Sequence, residues 1–273
     1  MFSKYLSLNI VQNNMKLTEG LSEICGVIIG DGWIQSNEKG LFITGNQTED
    51  KDYYDNYLVP LIRKELKIDL SARYFSYWRT YGVAIYRKEL IKIFLKLGML
   101  KGEKASRAFI PNIFKKNKKY YIALLRGVFD TDGSIYFMKD INPSRKSDFH
   151  IRPRLRITSI SENLINDIKF LTKNVGIISS NPSPSKWRGN KKPSHIFEIN
   201  QQKSIHLWLN LIGTKNPVHQ TKIAIWKKFG FVPPKTTLKE RVEILKDLRK
   251  PEFYYTTRGS RSLANRVALK NLS

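Results

Sequence analysis

CGVIIGDG at residues 25–32 and RGVFDTDG at residues 126–133 are one pattern written twice, and their reading decides the fold. In each, an apolar stretch with helical periodicity runs into an aspartate followed by glycine. Leu21, Ile24, Val27 and Ile28 make the first apolar stripe, with Thr18 placed to cap its start and Gly32 to stop it. Leu124, Leu125, Val128 and Phe129 make the second, which ends on Asp132 and Gly133. A small residue lies directly before each acid and another four positions earlier: Gly26 and Gly30, then Gly127 and Thr131. Small residues at that spacing leave one helix face smooth enough for close helix–helix packing.

The order of elements around each motif also repeats, which makes chance a poor explanation. A strand follows each aspartate, and a second strand carries residues 41–44 in one copy and 154–158 in the other. Helices are predicted over 48–66 and 161–174, further strands over 72–78, 82–86, 177–181 and 195–199, and closing helices over 88–97 and 201–211, stopped by Gly98 and Gly213. The second copy has the longer first hairpin, at 142–150. The expected fold class is α+β: two pseudo-symmetric αββαββα half-domains, 1–100 and 120–213, joined by a basic linker at 101–119. A basic helical extension at 214–273 follows, without counterpart in the first half.

Composition bounds the partner. The 273 residues hold 48 Lys and Arg against 23 Asp and Glu, a net charge of +25, while 41% hydrophobic residues supply a packed core and exclude a disordered basic tail. A surface this basic expects a polyanion, and charge spread along the whole chain favours nucleic acid over a membrane. No apolar run approaches the ~18 residues of a membrane span, and the first twenty residues lack a secretory signal. The single cysteine, Cys25, excludes an intrachain disulfide and a multi-cysteine zinc site. The four histidines show no paired metal-ligand spacing, and Glu65-Leu66-Lys67 lies on a predicted amphipathic helix without a partner acid.

If the two motif helices pack side by side, Asp31 and Asp132 meet at their C-terminal ends, where like charge and two helix dipoles both oppose them. Divalent cations between the carboxylates remove that cost, and oxygen-only ligation favours Mg²⁺ over zinc. Such a centre suits metal-assisted phosphodiester hydrolysis.

The paired motifs resemble the two signature helices of a double-motif LAGLIDADG homing endonuclease, and the repeated element order is similar to that family's half-domain over residues 15–213. The second motif is the closer match, because the first has Ile29 where the signature often carries an acid. The resemblance implies a monomeric, intron-encoded enzyme whose two halves form a saddle on double-stranded DNA. It would cut both strands of a long asymmetric site across the minor groove and leave 3′ overhangs. By position, Asp31 and Asp132 are then the catalytic, metal-binding acids, and the carbonyls of Gly30 and Thr131 are further ligands. Two or three Mg²⁺ ions are implied, with Mn²⁺ as a substitute and Ca²⁺ binding without supporting cleavage. Auxiliary polar residues near each acid are expected at Asn46 or Gln47, Lys88 and Lys203. A non-cleaving RNA maturase, with the host intron RNA as partner, or a DNA-binding regulator is the alternative on the same scaffold. Residues Asn271-Leu272-Ser273 lack the His-Asn pair expected of an intein. The expected location is the cytoplasm, with the nucleoid, or an organelle matrix.

Strand faces supply candidates for reading DNA. Residues 151–159, IRPRLRITS, alternate strictly, putting Arg152, Arg154, Arg156 and Thr158 on one face and apolar residues on the other. Three arginines in a row would be costly without an anionic partner, and a two-stranded ribbon in the major groove can place Arg on guanine. Ser134, Tyr136, Lys186 and Arg188 extend this set. In the first half the set is Trp33, Gln35, Asn37, Thr44, Asn46, Arg73, Tyr77 and Arg79, so the two half-sites are expected to differ. Lys115, Lys116, Lys118, Lys119, Arg258, Arg261, Arg266 and Lys270 are assigned to phosphates. About eight such contacts would give a logarithmic salt slope of roughly −7.

Overall fold

The computed structural model describes residues 16–142, 144, 146–180 and 193–256. Lys186 and Arg188, with the tail arginines Arg258, Arg261 and Arg266 and with Lys270, lie outside the described residues. The chain divides into two compact units, Met1–Ser134 with Leu155–Asn216, and Ile135–Arg154 with Pro217–Ser273.

In the first unit, α1 (Glu19–Gly30) starts where expected. The Thr18 hydroxyl accepts the Leu21 N–H at 3.0 Å, and Leu21, Ile24, Val27 and Ile28 are buried. Strands β1 (Gly32–Ile34), β2 (Leu41–Asn46), β3 (Arg73–Phe75) and β4 (Thr80–Ile85) form an antiparallel sheet of order β1-β2-β4-β3.

The helix predicted from residue 48 begins later and in three pieces: α2 (Lys51–Tyr53), a π-helical turn (Tyr54–Leu58) and α3 (Val59–Leu66). The delay comes from Asn46, whose side-chain oxygen accepts the N–H groups of Thr48 and Glu49 and closes a turn. The wide turn follows from Pro60, which has no N–H to give to residue 56, while the Val59 N–H reaches back to the Tyr54 carbonyl. Helix α4 (Lys88–Lys96) then ends at Gly98, which adopts φ +93°.

The linker is more than a tether. It holds α5 (Asn112–Lys115) and buries Ala108, Ile110 and Phe114, and Lys115 forms an ion pair with Asp167 instead of standing free for phosphate. Helix α6 (Lys118–Asp132) carries the second motif and is capped by the Asn117 side chain, which accepts the Lys119 N–H at 3.0 Å. Strands β5 (Gly133–Lys139), β6 (His150–Ser159) and β7 (His195–Ile199) form a sheet of order β5-β6-β7. The strand predicted at 177–181 is not formed within the described residues: up to residue 180 there is one bridge, Ser180 to Glu198. Ser161 caps α7 (Glu162–Lys173), and α8 (Gln202–Leu211) is followed by Gly213 at φ +67°.

The second unit contains the distal ends of β5 and β6 together with α9 (Pro217–Phe229), α10 (Leu238–Leu245) and α11 (Phe253–Thr256). Arg241 is fully buried there, with Nε donating to the Thr221 hydroxyl at 3.0 Å and Nη1 to the Thr236 carbonyl. Phe149, Phe231 and Tyr255 pack ring to ring as a local apolar cluster of this unit. Among the described residues no helix is long and apolar enough to cross a membrane.

Candidate active site at the paired helix ends

Helices α1 and α6 pack through their small residues. A Cβ added to Gly26 would land on the Leu124 carbonyl, and one added to Gly127 would land on the Glu23 carbonyl and stand 2.8 Å from the Val27 nitrogen. Backbone therefore meets backbone reciprocally, as the spacing predicts. Further along, the Thr131 hydroxyl occupies the place that a Gly30 side chain would take, and it donates to the Gly127 carbonyl at 3.0 Å. One buried ion pair crosses the same contact: Arg126 Nη1 donates to Glu23 Oε2 at 2.7 Å, and the Tyr57 hydroxyl donates to Glu23 Oε1 at 2.6 Å.

This packing brings the two acids together. Asp31 caps α1, Asp132 ends α6, and the Asp132 carboxyl carbon lies 3.4 Å from the point where a Gly30 Cβ would stand. Asp31 is half-buried and Asp132 keeps an exposed face. Burial, followed by the charges of Asp132 and Asp50, pushes the Asp31 pKa up to about 7, with Lys104 and Tyr54 opposing. Burial also raises Asp132, against the pull of Lys104.

Lys104 is the group that sequence reasoning missed. Its ammonium donates to the Ile28 carbonyl at 2.8 Å and to the carbonyls of Ile29 and Gly30, at the negative end of α1. Burial pushes its pKa down to about 8, while Asp132 and Asp31 hold it up. The linker aims it there. Lys101 bridges to Ile34 at the sheet edge, and Gly102, at φ +70°, donates its N–H to the Ile34 carbonyl at 2.8 Å. Nothing local marks this lysine among its basic neighbours; its role comes from a pairing across some seventy residues.

The expected auxiliary residues sit elsewhere. Gln47 is exposed in the turn after β2, and Lys88 and Lys203 are exposed in the first turns of α4 and α8. Among the described residues, no hydrogen bond or ion pair joins these three to Asp31 or Asp132. The Gly30 carbonyl, expected as a cation ligand, accepts from Lys104. Thr131 lies in the last turn of α6. The donor set is all oxygen, two carboxylates against one ammonium, and fits a hard divalent cation with few protein ligands. Among the described residues no cluster of three or more His, Cys, Asp or Glu forms a metal site. Asp130, the other acid of the second motif, is buried and structural: it accepts the Lys215 N–H at 2.9 Å and the Thr214 hydroxyl.

The strand faces depart from expectation in an instructive way. Along β6, Pro153, Leu155 and Ile157 are buried, Arg154 and Arg156 are half-buried, and Arg152 and Thr158 are exposed, so the alternation holds. The arginines are not without protein partners, however. Arg156 forks onto its cross-strand neighbour Glu198, with Nε at 2.8 Å, and Arg152 Nε lies 3.1 Å from Asp140. The Ser134 hydroxyl bonds the Arg156 carbonyl at 3.4 Å, and Tyr136 is half-buried.

On the first sheet, Trp33, Thr44, Asn46 and Arg73 do share a face. Its centre is an aromatic cluster: Phe42 stacks with Trp33 at 5.7 Å and meets Trp78 at 5.2 Å and Tyr86 at 5.8 Å. Arg73 lies over Phe75 at 5.0 Å and donates to the Tyr86 hydroxyl. Tyr77, 92% exposed, and Arg79, at φ +53°, project in the β3–β4 turn. Gln35 and Asn37 belong to the β1–β2 turn, where Asn37 accepts the Lys39 N–H.

Comparison with known proteins places this geometry. The LAGLIDADG-like domain family matches residues 119–213. Among curated proteins, a DNA polymerase of Thermococcus sp. (strain GE8) is 25% identical over 71% of this chain and 11% of its own length. The ATP-dependent DNA helicase Hel308 of Methanocaldococcus jannaschii is 31% identical over 63% of this chain and 13% of its own. The chain thus spans about a tenth of the length of these relatives. The homing endonuclease I-DmoI, solved in complex with DNA and Mn, aligns at 16% identity and a TM-score of 0.47 over 71% of this chain and 97% of its own. With residues 119–213 matched to the family and the helix of the first motif packed reciprocally against that of the second, the chain carries a double-motif LAGLIDADG fold.

Proposed function

We propose that this protein is a site-specific, Mg²⁺-dependent endonuclease that cuts both strands of a long asymmetric double-stranded DNA site, leaving 3′ overhangs. The observation that carries the reading is the meeting of Asp31 and Asp132 at the ends of two helices held together backbone to backbone. Packing alone does not ask for acids at those positions, where burial makes both carboxylates harder to ionise and the charge of Asp132 adds to this at Asp31. Asp31 and Asp132 would hold the divalent ions, which when bound supply Lewis-acid stabilisation of the attacking and leaving oxygens. Lys104 would keep α1's terminal carbonyls in place and balance part of the carboxylate charge. The net charge of +25 supports nucleic acid as the partner. The protein is proposed to act as a monomer, since both acids come from one chain.

The test is cleavage of plasmids carrying the fused sequences that flank the reading frame, together with a randomised target library, in Mg²⁺ and in EDTA. Linear product in Mg²⁺ alone supports the reading. Absence of cutting across both, combined with tight binding of the host intron RNA, replaces it with the non-cleaving maturase.

A further inference from the structure

Among the described residues, the Asp31 side of the centre has a second carboxylate that the Asp132 side lacks. Asp50 directly precedes α2, where the matching position before α7 is Ser161. Its Oδ2 accepts the Asn46 N–H at 2.8 Å, and its Oδ1 accepts from Asn216 Nδ2 at 3.1 Å, so each oxygen keeps a lone pair. Asp50 Oδ2 and Asp31 Oδ2 flank one small space: they lie 2.8 and 3.3 Å from the point where a Cβ on Gly45 would stand. Only a residue without a side chain at position 45 leaves that space open. Tyr54, at the start of the π-helical turn, borders the same space, its Cε2 3.1 Å from that point. Its hydroxyl is wholly buried, within the field of both carboxylates and in reach of Asp31, yet among the described residues no hydrogen bond of full geometry satisfies it. A buried hydroxyl left unpaired is costly, so it points to a species that completes the group of oxygens.

We propose that Asp31 and Asp50 together hold a divalent cation on the first-half side of the centre, with Gly45 giving it room and the Tyr54 hydroxyl facing its hydration shell. Hard oxygen ligands and two carboxylates select Mg²⁺, Mn²⁺ or Ca²⁺. The inference rests on the endonuclease reading in that it deepens the role given there to Asp31, and it makes the two halves of the centre unequal in their hold on metal.

The full chain, without DNA, is titrated with Mn²⁺ by electron paramagnetic resonance, and with Tb³⁺ by tyrosine-sensitised emission. Asp50→Asn and Gly45→Ala are each expected to weaken the tightest Mn²⁺ site by more than about tenfold, while Asp132→Asn leaves that site intact. Tyr54→Phe is expected to remove most of the sensitised Tb³⁺ emission, a readout that leaves both acids in place should either substitution at Asp50 or Gly45 fail to fold. Wild-type Mn²⁺ binding in folded Asp50→Asn and Gly45→Ala, or unchanged emission in Tyr54→Phe, overturns the inference. If Mn²⁺ binds as described but no DNA is cut, the endonuclease reading falls and the cation site stands. If Mg²⁺-dependent cutting occurs without a site sensitive to Asp50, the reverse holds.

Discussion

The two halves of this chain follow one plan and use it differently. At the helix ends, Asp31 has Asp50, Tyr54 and Lys104 about it, whereas Asp132 has Lys104 and an exposed face. On the sheets, the first half packs Trp33, Phe42, Trp78 and Tyr86 into an aromatic cluster on the outer face, and the second half lays arginines along β6. The repeat is therefore kept where the helices touch and relaxed on the outer faces of the sheets. Backbone contact tolerates no change, because an added carbon has nowhere to go, while an outer face can be rewritten one side chain at a time.

The most severe break of the helix pair is expected at the ion pair that crosses it, Arg126 with Glu23. Arg126→Met should cost about 3–5 kcal/mol in chemical denaturation by leaving a buried carboxylate without its counter-charge and with only the Tyr57 hydrogen bond, and the double variant with Glu23→Leu should recover much of the loss. The sign with pH is fixed by burial, which raises the Glu23 pKa despite Arg126. A carboxyl raised in the folded state favours folding while protonated and loses that contribution as pH rises through its folded value, so the Arg126→Met deficit should shrink on acidification. Next in size, Gly26→Ala should cost about 3 kcal/mol, since its Cβ meets a backbone carbonyl, whereas Gly30→Ala, meeting the movable Thr131 hydroxyl, should cost nearer 1 kcal/mol. Equal costs would show that the contact is not built on Gly26 and Gly127. On the second sheet, Glu198→Ala should lower stability by about 1 kcal/mol or less by thermal unfolding, the scale of a half-exposed cross-strand pair. The smallest effect is expected for the exposed Lys119: Lys119→Ala should make the logarithmic salt slope for DNA binding shallower by about 1 if it meets a phosphate.

Much of this was legible in the residues. Apolar periodicity and caps located both motif helices, and the small-residue spacing announced their contact. The alternation in residues 151–159 set which side of β6 is buried. Three features were not legible, each because it depends on register or long-range pairing. Glu198 becomes the partner of Arg156 only through the β6–β7 register, which removes the argument that these arginines need an external anion. Lys104 reaches the helix end only because residues 101 and 102 pair with Ile34. Asp50 reads as an acid in the first turn of the helix predicted from residue 48, until the turn at Asn46 delays that helix and sets Asp50 towards Asp31.

The central claim is that Asp31 and Asp132, one from each half, work as a single centre. The most direct test is the conversion of supercoiled target plasmid to nicked and linear forms by wild-type protein, Asp31→Asn and Asp132→Asn in Mg²⁺, after unfolding curves confirm that the variants fold. Each single substitution is predicted to lower the rate of linear product by about 10²–10³-fold or more. Linear product formed at the wild-type rate by either folded variant would contradict the account.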